Sequence, residues 1–146
     1  LIELAGLRAM GRTLEHLESQ LGAADVDLVV STSVTGIAAP SLEARLASRI
    51  GLRPDVKRVP MFGLGCVAGA AGIARIHDYL VGHPDGVAVL LAVELCSLTV
   101  QRDDTSMANI VASGLFGDGA AAVVSGCRPG EGEAGGGGGH HGGDRR

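Results

Sequence analysis

Cysteine is the residue in this chain best suited to covalent chemistry, and one of its three copies has a distinctive setting, Phe62-Gly63-Leu64-Gly65-Cys66-Val67-Ala68-Gly69-Ala70-Ala71-Gly72. Lys57 to Phe62 reads as a short strand, while Ile73, Ile76, Tyr79 and Leu80 recur at helical spacing. Cys66 is therefore expected where a strand ends and a helix begins. Unpaired backbone N–H groups and the positive end of the helix dipole meet at such a junction. They favour the nucleophilic thiolate of a side chain whose ordinary pKa is ~8.5. Small residues at 63, 65, 69, 70 and 72 leave room for an acyl group on sulfur. The opposing reading makes Cys66 one more small apolar residue in a packed helix start. A phosphate loop fits less well, because the third glycine of G-x-G-x-x-G falls at Ala68 and no Gly-Lys-Ser/Thr follows.

Two further stretches could serve a site. Val93-Glu94-Leu95-Cys96-Ser97-Leu98-Thr99 leaves the apolar run Val87 to Val93, and the carboxyl ends of strands in open α/β sheets are where ligands bind. An ordinary strand exit with satisfied hydroxyls is the alternative there, as a solvated turn is for Gln101-Arg102-Asp103-Asp104. Gly114-Leu115-Phe116-Gly117-Asp118-Gly119-Ala120 sets an aromatic among glycines in a chain whose other aromatics are Phe62 and Tyr79. Phe116 is then a plug or the wall of a pocket, and Asp118 can equally form a turn. No histidine suits the role of partner to Cys66. His16 lies on an outer helix, His83 in a turn, and His140 and His141 in a glycine-rich tail. His77 follows Cys66 by eleven residues, ~16 Å along a helix axis.

The elements that must position these residues follow from periodicity. Leu4, Leu7, Leu14, Leu17 and Leu21 predict an amphipathic helix, and Val26 to Thr32 a β-branched strand. Pro40 and Ser41 open a helix bearing Leu42, Leu46 and Ile50 before Gly51 stops it. The strand at 57–62 belongs at an edge, since Pro60 cannot donate to a ladder. The Ala- and Gly-rich helix after Cys66 is expected in a central, buried position. Val87 to Glu94 is apolar on both faces and so predicts a sheet-centre strand. A helix from about Ser106 to Leu115 and a strand from about Ala120 to Ser125 complete an α-β-α-β-α-β-α-β order. That order argues for an α/β fold with a mainly parallel sheet.

Composition narrows the function classes. The 146 residues carry 12 Lys and Arg against 16 Asp and Glu, a net charge of −4, with no basic cluster. Nucleic acid is a poor partner for such a surface. The longest apolar run falls well short of the ~20 residues that span a membrane, and no secretion signal opens the chain. Cysteines at 66, 96 and 127 have neither zinc-site spacing nor an even count for a disulfide framework. The expectation is a cytoplasmic protein without a metal site. Ten of the 24 glycines lie between 126 and 146, which predicts a disordered tail behind an ordered region 1–125.

Taken together, Gly65-Cys66-Val67-Ala68-Gly69, Val93 to Thr99 and Leu115-Phe116-Gly117-Asp118-Gly119-Ala120-Ala121-Ala122 resemble the type III polyketide synthases, the chalcone and stilbene synthase family in its bacterial form. The resemblance runs from about Val26 to Ser125. It implies a thiolase-like fold of two similar halves, of which 1–125 is an incomplete N-terminal one, with a buried central helix carrying the cysteine. It further implies a homodimer acting on coenzyme A thioesters, with no bound cofactor. In such enzymes the cysteine matched by Cys66 takes an acyl-CoA starter, which is extended by decarboxylative condensation with malonyl-CoA. Phe116 matches the aromatic gate between the coenzyme A tunnel and the cavity, and Cys96 and Thr99 match positions lining that cavity. Gly65, Gly69, Leu115 and Asp118 match positions that shape the site. Ala39-Pro40 matches a loop that approaches the partner subunit's cavity, where plant enzymes often carry Met. The family also uses a histidine and an asparagine from its second half, and Asn109 does not match that asparagine. The expectation is an N-terminal fragment inactive on its own. Two other readings remain: an initiating ketoacyl-carrier-protein synthase, and a non-catalytic half-domain that only associates with a partner.

Overall fold

The computed structural model describes residues 22–126. The helix expected over 4–21, Cys127 and the glycine-rich tail lie outside them. One four-stranded sheet organises the described chain, in the order β2-β1-β3-β4. Strand β1 is Leu28–Thr32, β2 Lys57–Met61, β3 Val87–Glu94 and β4 Gly119–Gly126. β1 runs parallel to both β2 and β3, whereas β4 is antiparallel to β3. The sheet is therefore mainly parallel, with one reversed edge.

Local sequence explains most of these elements. Every residue of β1 is buried, as is most of β3, so the two apolar strands occupy the centre. β2, which contains Pro60, is largely exposed at one edge. Helix α1, Leu42–Ala47, is shorter than its apolar spacing predicts; Ile50 falls in the turn after it, which Gly51 closes at φ +76°. Helix α2 is Ala68–Gly82 and α3 is Met107–Leu115, the latter capped by Ser106 Oγ accepting from the Asn109 amide.

Alternation along the strands sends successive side chains to opposite faces. Val29, Val89, Leu91 and Val93 pack with Leu42 and Leu46 of α1 on one face. Leu28, Val30, Ala88 and Leu90 pack with Ile76 of α2 on the other. Helix α2 buries one face among the described residues. Ala68, Gly72 and Ile76 form its buried stripe, while Ile73 and Val81 on other faces are exposed. Only the sheet covers this helix among the described residues.

Asp27 ties the amino ends of three strands together. Its backbone N–H donates to Val87 and its carbonyl accepts from Lys57. Its carboxylate accepts from the Val87 amide at 3.0 Å and from Arg53 Nη2 at 2.8 Å. The Val87 amide first, and then Arg53, hold that carboxyl below the usual aspartate range.

Two glycines of α2 should respond oppositely to substitution. A Cβ at Gly72 would sit 2.5 Å from Leu90 Cδ1, whereas Gly69 has nothing within 4 Å. Gly72→Val should cost about 1–3 kcal/mol by overpacking. Gly69→Ala should gain about 0.5–1 kcal/mol through helix propensity. Urea midpoints measure both, and equal shifts of one sign would contradict this packing.

Candidate active site

The carboxyl ends of β1 and β3 lie side by side, because Leu28 to Thr32 are in parallel register with Ala88 to Ala92. The chain segments leaving them, with the turn before α2, enclose a mainly apolar cavity of about 450 Å³. Thr32, Val34 and Thr35 come from the β1 end; Ala92, Glu94 and Cys96 come from the β3 end. Gly65, Cys66, Ala68 and Gly69 form the wall nearest α2, and Phe116 contributes from beyond α3.

Cys66 lies in a single 3-10 turn, Gly65–Val67, joined directly to α2. Its position is thus at the entrance to the helix and not within it. Gly63 and Gly65 adopt φ +80° and +54°, the left-handed region that costs a residue with a Cβ. The glycines that looked like part of a phosphate loop turn the backbone so that Cys66 reaches the cavity. Its side chain is exposed, while Cys96 is half-buried.

A second cavity of about 90 Å³ lies between the turn Cys96–Thr99 and α3, with Thr99, Asn109 and Ser113 in its wall. Cys96 and Phe116 border both spaces. The structure therefore brings Cys66, Gly65, Gly69, Cys96 and Phe116 around the larger cavity and places Thr99 at the smaller. Leu115, 72% exposed, borders neither. Ala39 and Pro40 also border neither; they are exposed on the segment between β1 and α1.

Asp118 acts at one remove. Its carboxylate accepts from the Ser97 amide at 2.8 Å and from Ser97 Oγ at 2.7 Å, which fastens the segment before β4 to the exit of β3. The Ser97 amide, then its hydroxyl, holds the Asp118 carboxyl below the ordinary range.

Sequence reasoning missed the residues that shape the opposite wall. Glu94 accepts from the amides of Val34 and Thr35 at 2.8 and 3.0 Å and from Thr35 Oγ1 at 2.7 Å. Thr35 Oγ1 in turn accepts from the Leu95 amide. The available signal was Glu94 itself, a charge closing an apolar central strand, since such a group requires partners. Asn109 has a structural task, donating through Nδ2 to the carbonyls of Gln101 and Asp104. Among the described residues no histidine borders either cavity, and no group of three or more His, Cys, Asp or Glu is placed to hold a metal ion. His77 lies on the outer surface of α2, 3.8 Å from Asp78.

Residues 10–129 match the family described as chalcone and stilbene synthases, N-terminal domain. The chain belongs to this family. The chain is 73% identical over 105 residues to a 1,3,6,8-tetrahydroxynaphthalene synthase of Streptomyces peucetius subsp. caesius, covering 72% of this chain and 28% of that protein. A putative chalcone synthase of Bacillus subtilis (strain 168) is 42% identical over 99 residues, 68% of this chain and 27% of the relative. Germicidin synthase of Streptomyces coelicolor, a type III polyketide synthase, superposes with a TM-score of 0.80 at 34% identity, covering 88% of this chain and 33% of that one. The 1,3,6,8-tetrahydroxynaphthalene synthase of Streptomyces coelicolor A3(2) gives 0.73 at 35% identity, over 85% of this chain and 34% of that one. The fold is accordingly the thiolase-like one of type III polyketide synthases, and the chain spans about a third or less of these relatives.

The Asp118 link predicts a pH dependence. Because its folded pKa is depressed, its contribution is present above the unfolded value of about 3.9 and is lost as pH falls through the lower folded one. Asp118→Asn should therefore lower the urea midpoint at pH 6, with the gap to the parent narrowing towards pH 3. A gap independent of pH would contradict the linkage.

Proposed function

We propose that this chain is the cysteine-bearing N-terminal region of a type III polyketide synthase, and that Cys66 is its acyl acceptor. The observation that carries the reading is the exposed Cys66 thiol, on a tight glycine turn at the N-terminal end of a 15-residue helix, facing a mainly apolar cavity bordered by Phe116. Backbone N–H groups at such a helix start attract negative charge. A thiolate there suits covalent catalysis.

In the proposed sequence, Cys66 sulfur attacks the carbonyl of an acyl-CoA starter, and coenzyme A leaves as its thiolate. Malonyl-CoA then loses carbon dioxide, and the resulting carbanion attacks the Cys66 thioester. A new carbon–carbon bond forms and Cys66 is released. No bound cofactor enters these steps. Phe116 and Cys96, standing between the two spaces, control passage of the growing chain, and Thr99 helps to set its length. Gly65 and Gly69 keep the approach to sulfur open. Leu115 and Asp118 shape the site indirectly, through the segment that presents Phe116.

The resemblance assigns the histidine and asparagine that assist decarboxylation to the family's second half. Complete turnover is therefore a property of a longer, cytoplasmic, homodimeric enzyme, in which Ala39-Pro40 approaches the partner subunit. Exposed apolar side chains on α3, such as Met107, Ile110 and Leu115, suit burial in that larger assembly.

Covalent capture is the direct test. Incubation with an acyl-CoA should add the acyl mass at Cys66, and Cys66→Ala should abolish it. Cys66 should also alkylate at least about tenfold faster than Cys96 or Cys127 near neutral pH, as expected of a nucleophilic thiol. Equal, slow labelling of all three would contradict the assignment, and sustained polyketide release by this chain alone would contradict the need for the second half.

A further inference from the structure

Residues 33–41, joining β1 to α1, hang between two carboxylates. At one end Glu94 takes the amides of Val34 and Thr35 together with the Thr35 hydroxyl. At the other end stands Glu43, on the first turn of α1 and only 1% exposed. One of its oxygens accepts from Ser31 Oγ of β1 and the other from Ser41 Oγ. Next to it Arg45 Nε donates to the Pro40 carbonyl at 2.9 Å. Between these anchors Ile37, Ala38, Ala39 and Pro40 are exposed.

From this arrangement we infer that Glu43 is a positioning residue for the site, holding the strap 33–41 so that Val34 and Thr35 form the cavity wall opposite Cys66. Ser31 and Thr32 are neighbours on β1 and so point to opposite faces. Thr32 borders the cavity, and Ser31 meets Glu43 behind it. Glu43 thus touches no part of the cavity and acts through Ser31 and Ser41. A carboxylate this deeply buried is costly unless hydrogen-bonded, and it accepts from one hydroxyl of the sheet and one of the strap. Their joint use of one carboxylate couples the strap's far end to β1, whose continuation is the strap's near end. The inference deepens the reading of the cavity as an acyl site and rests on it for its chemical meaning, but its test uses no turnover.

Elastase cleavage reports local opening of small aliphatic segments, and the strap offers Val34, Ile37, Ala38 and Ala39. In the full chain, Glu43→Ala should raise cleavage within 34–39 at least about tenfold, and Glu43→Gln, which keeps one acceptor oxygen, about threefold. Cleavage in the alanine-rich part of α2 should stay within about twofold of the parent. The same variants should change the ratio of Cys66 alkylation by a bulky maleimide to that by iodoacetamide at least about threefold, because the facing wall moves. Unchanged strap cleavage, acceleration shared equally with α2, or an unchanged ratio would each overturn the inference. Should Glu43→Ala not fold, Glu43→Gln decides by the same three criteria. Failure here leaves acyl capture at Cys66 intact, whereas failure of capture leaves strap cleavage unaffected, so the two outcomes are distinguishable.

Discussion

Parallel pairing of β1 with β3, in the register that sets Thr32 beside Ala92, is the constraint on which the site depends. Parallel neighbours end at the same edge of a sheet, so the chain leaving each strand emerges on the same side. The crossover between β1 and β3 passes through edge strand β2 and then α2, which packs back against the sheet through Ala68, Gly72 and Ile76. The start of α2 is thereby delivered to that same edge, carrying Cys66 into the space between the two strand exits. Close approach of helix and strand is possible because Gly72 has no side chain where Leu90 lies.

Apolar packing holds the sheet between its helices, but carboxylates fix the connecting segments. Asp27 joins the starts of β1, β2 and β3. Glu94 joins the exits of β1 and β3, Glu43 joins the strap to β1, and Asp118 joins the entry of β4 to the exit of β3. In each case an acceptor with two oxygens takes donors from two segments, or two or three donors from one segment. Non-directional burial could place these segments near one another, but only oriented hydrogen bonds specify one arrangement. The walls of the cavity are set in this way by Glu94, which holds Val34 and Thr35 in place.

The reading of Cys66 as an acyl acceptor draws on two independent properties of the same few residues. Glycines 63 and 65 allow backbone angles that place the cysteine, and the small residues following it clear the space before its sulfur. Either property could be a packing solution in another protein. Here both open onto a cavity whose remaining walls are contributed by strand exits and by Phe116. Spanning about a third or less of its relatives, the chain contributes Cys66 and these walls to the proposed reaction, whose other groups the resemblance assigns to the family's second half.

How much was legible beforehand depended on whether the signal was local. Periodicity located β1, β2, β3, α2, α3 and β4, and the three motifs carried the family resemblance, because apolar spacing, turn glycines and a helix cap all act within a few residues. The apolar spacing overextends helix α1 to Ile50, where a turn ending at Gly51 mimics one more helical repeat. The partnership of Glu94 with Val34 and Thr35 spans about sixty residues, and that of Asp118 with Ser97 spans 21. No window of sequence contains either pair. The sequence by itself determined that a thiol would stand at a strand-to-helix junction among small residues, since composition and backbone permissiveness suffice for that. Only the tertiary structure decided which strand ends it faces, which carboxylates hold the walls, and that one face of α2 is uncovered among the described residues, because those depend on strand order and register, which are settled by contacts between distant parts of the chain.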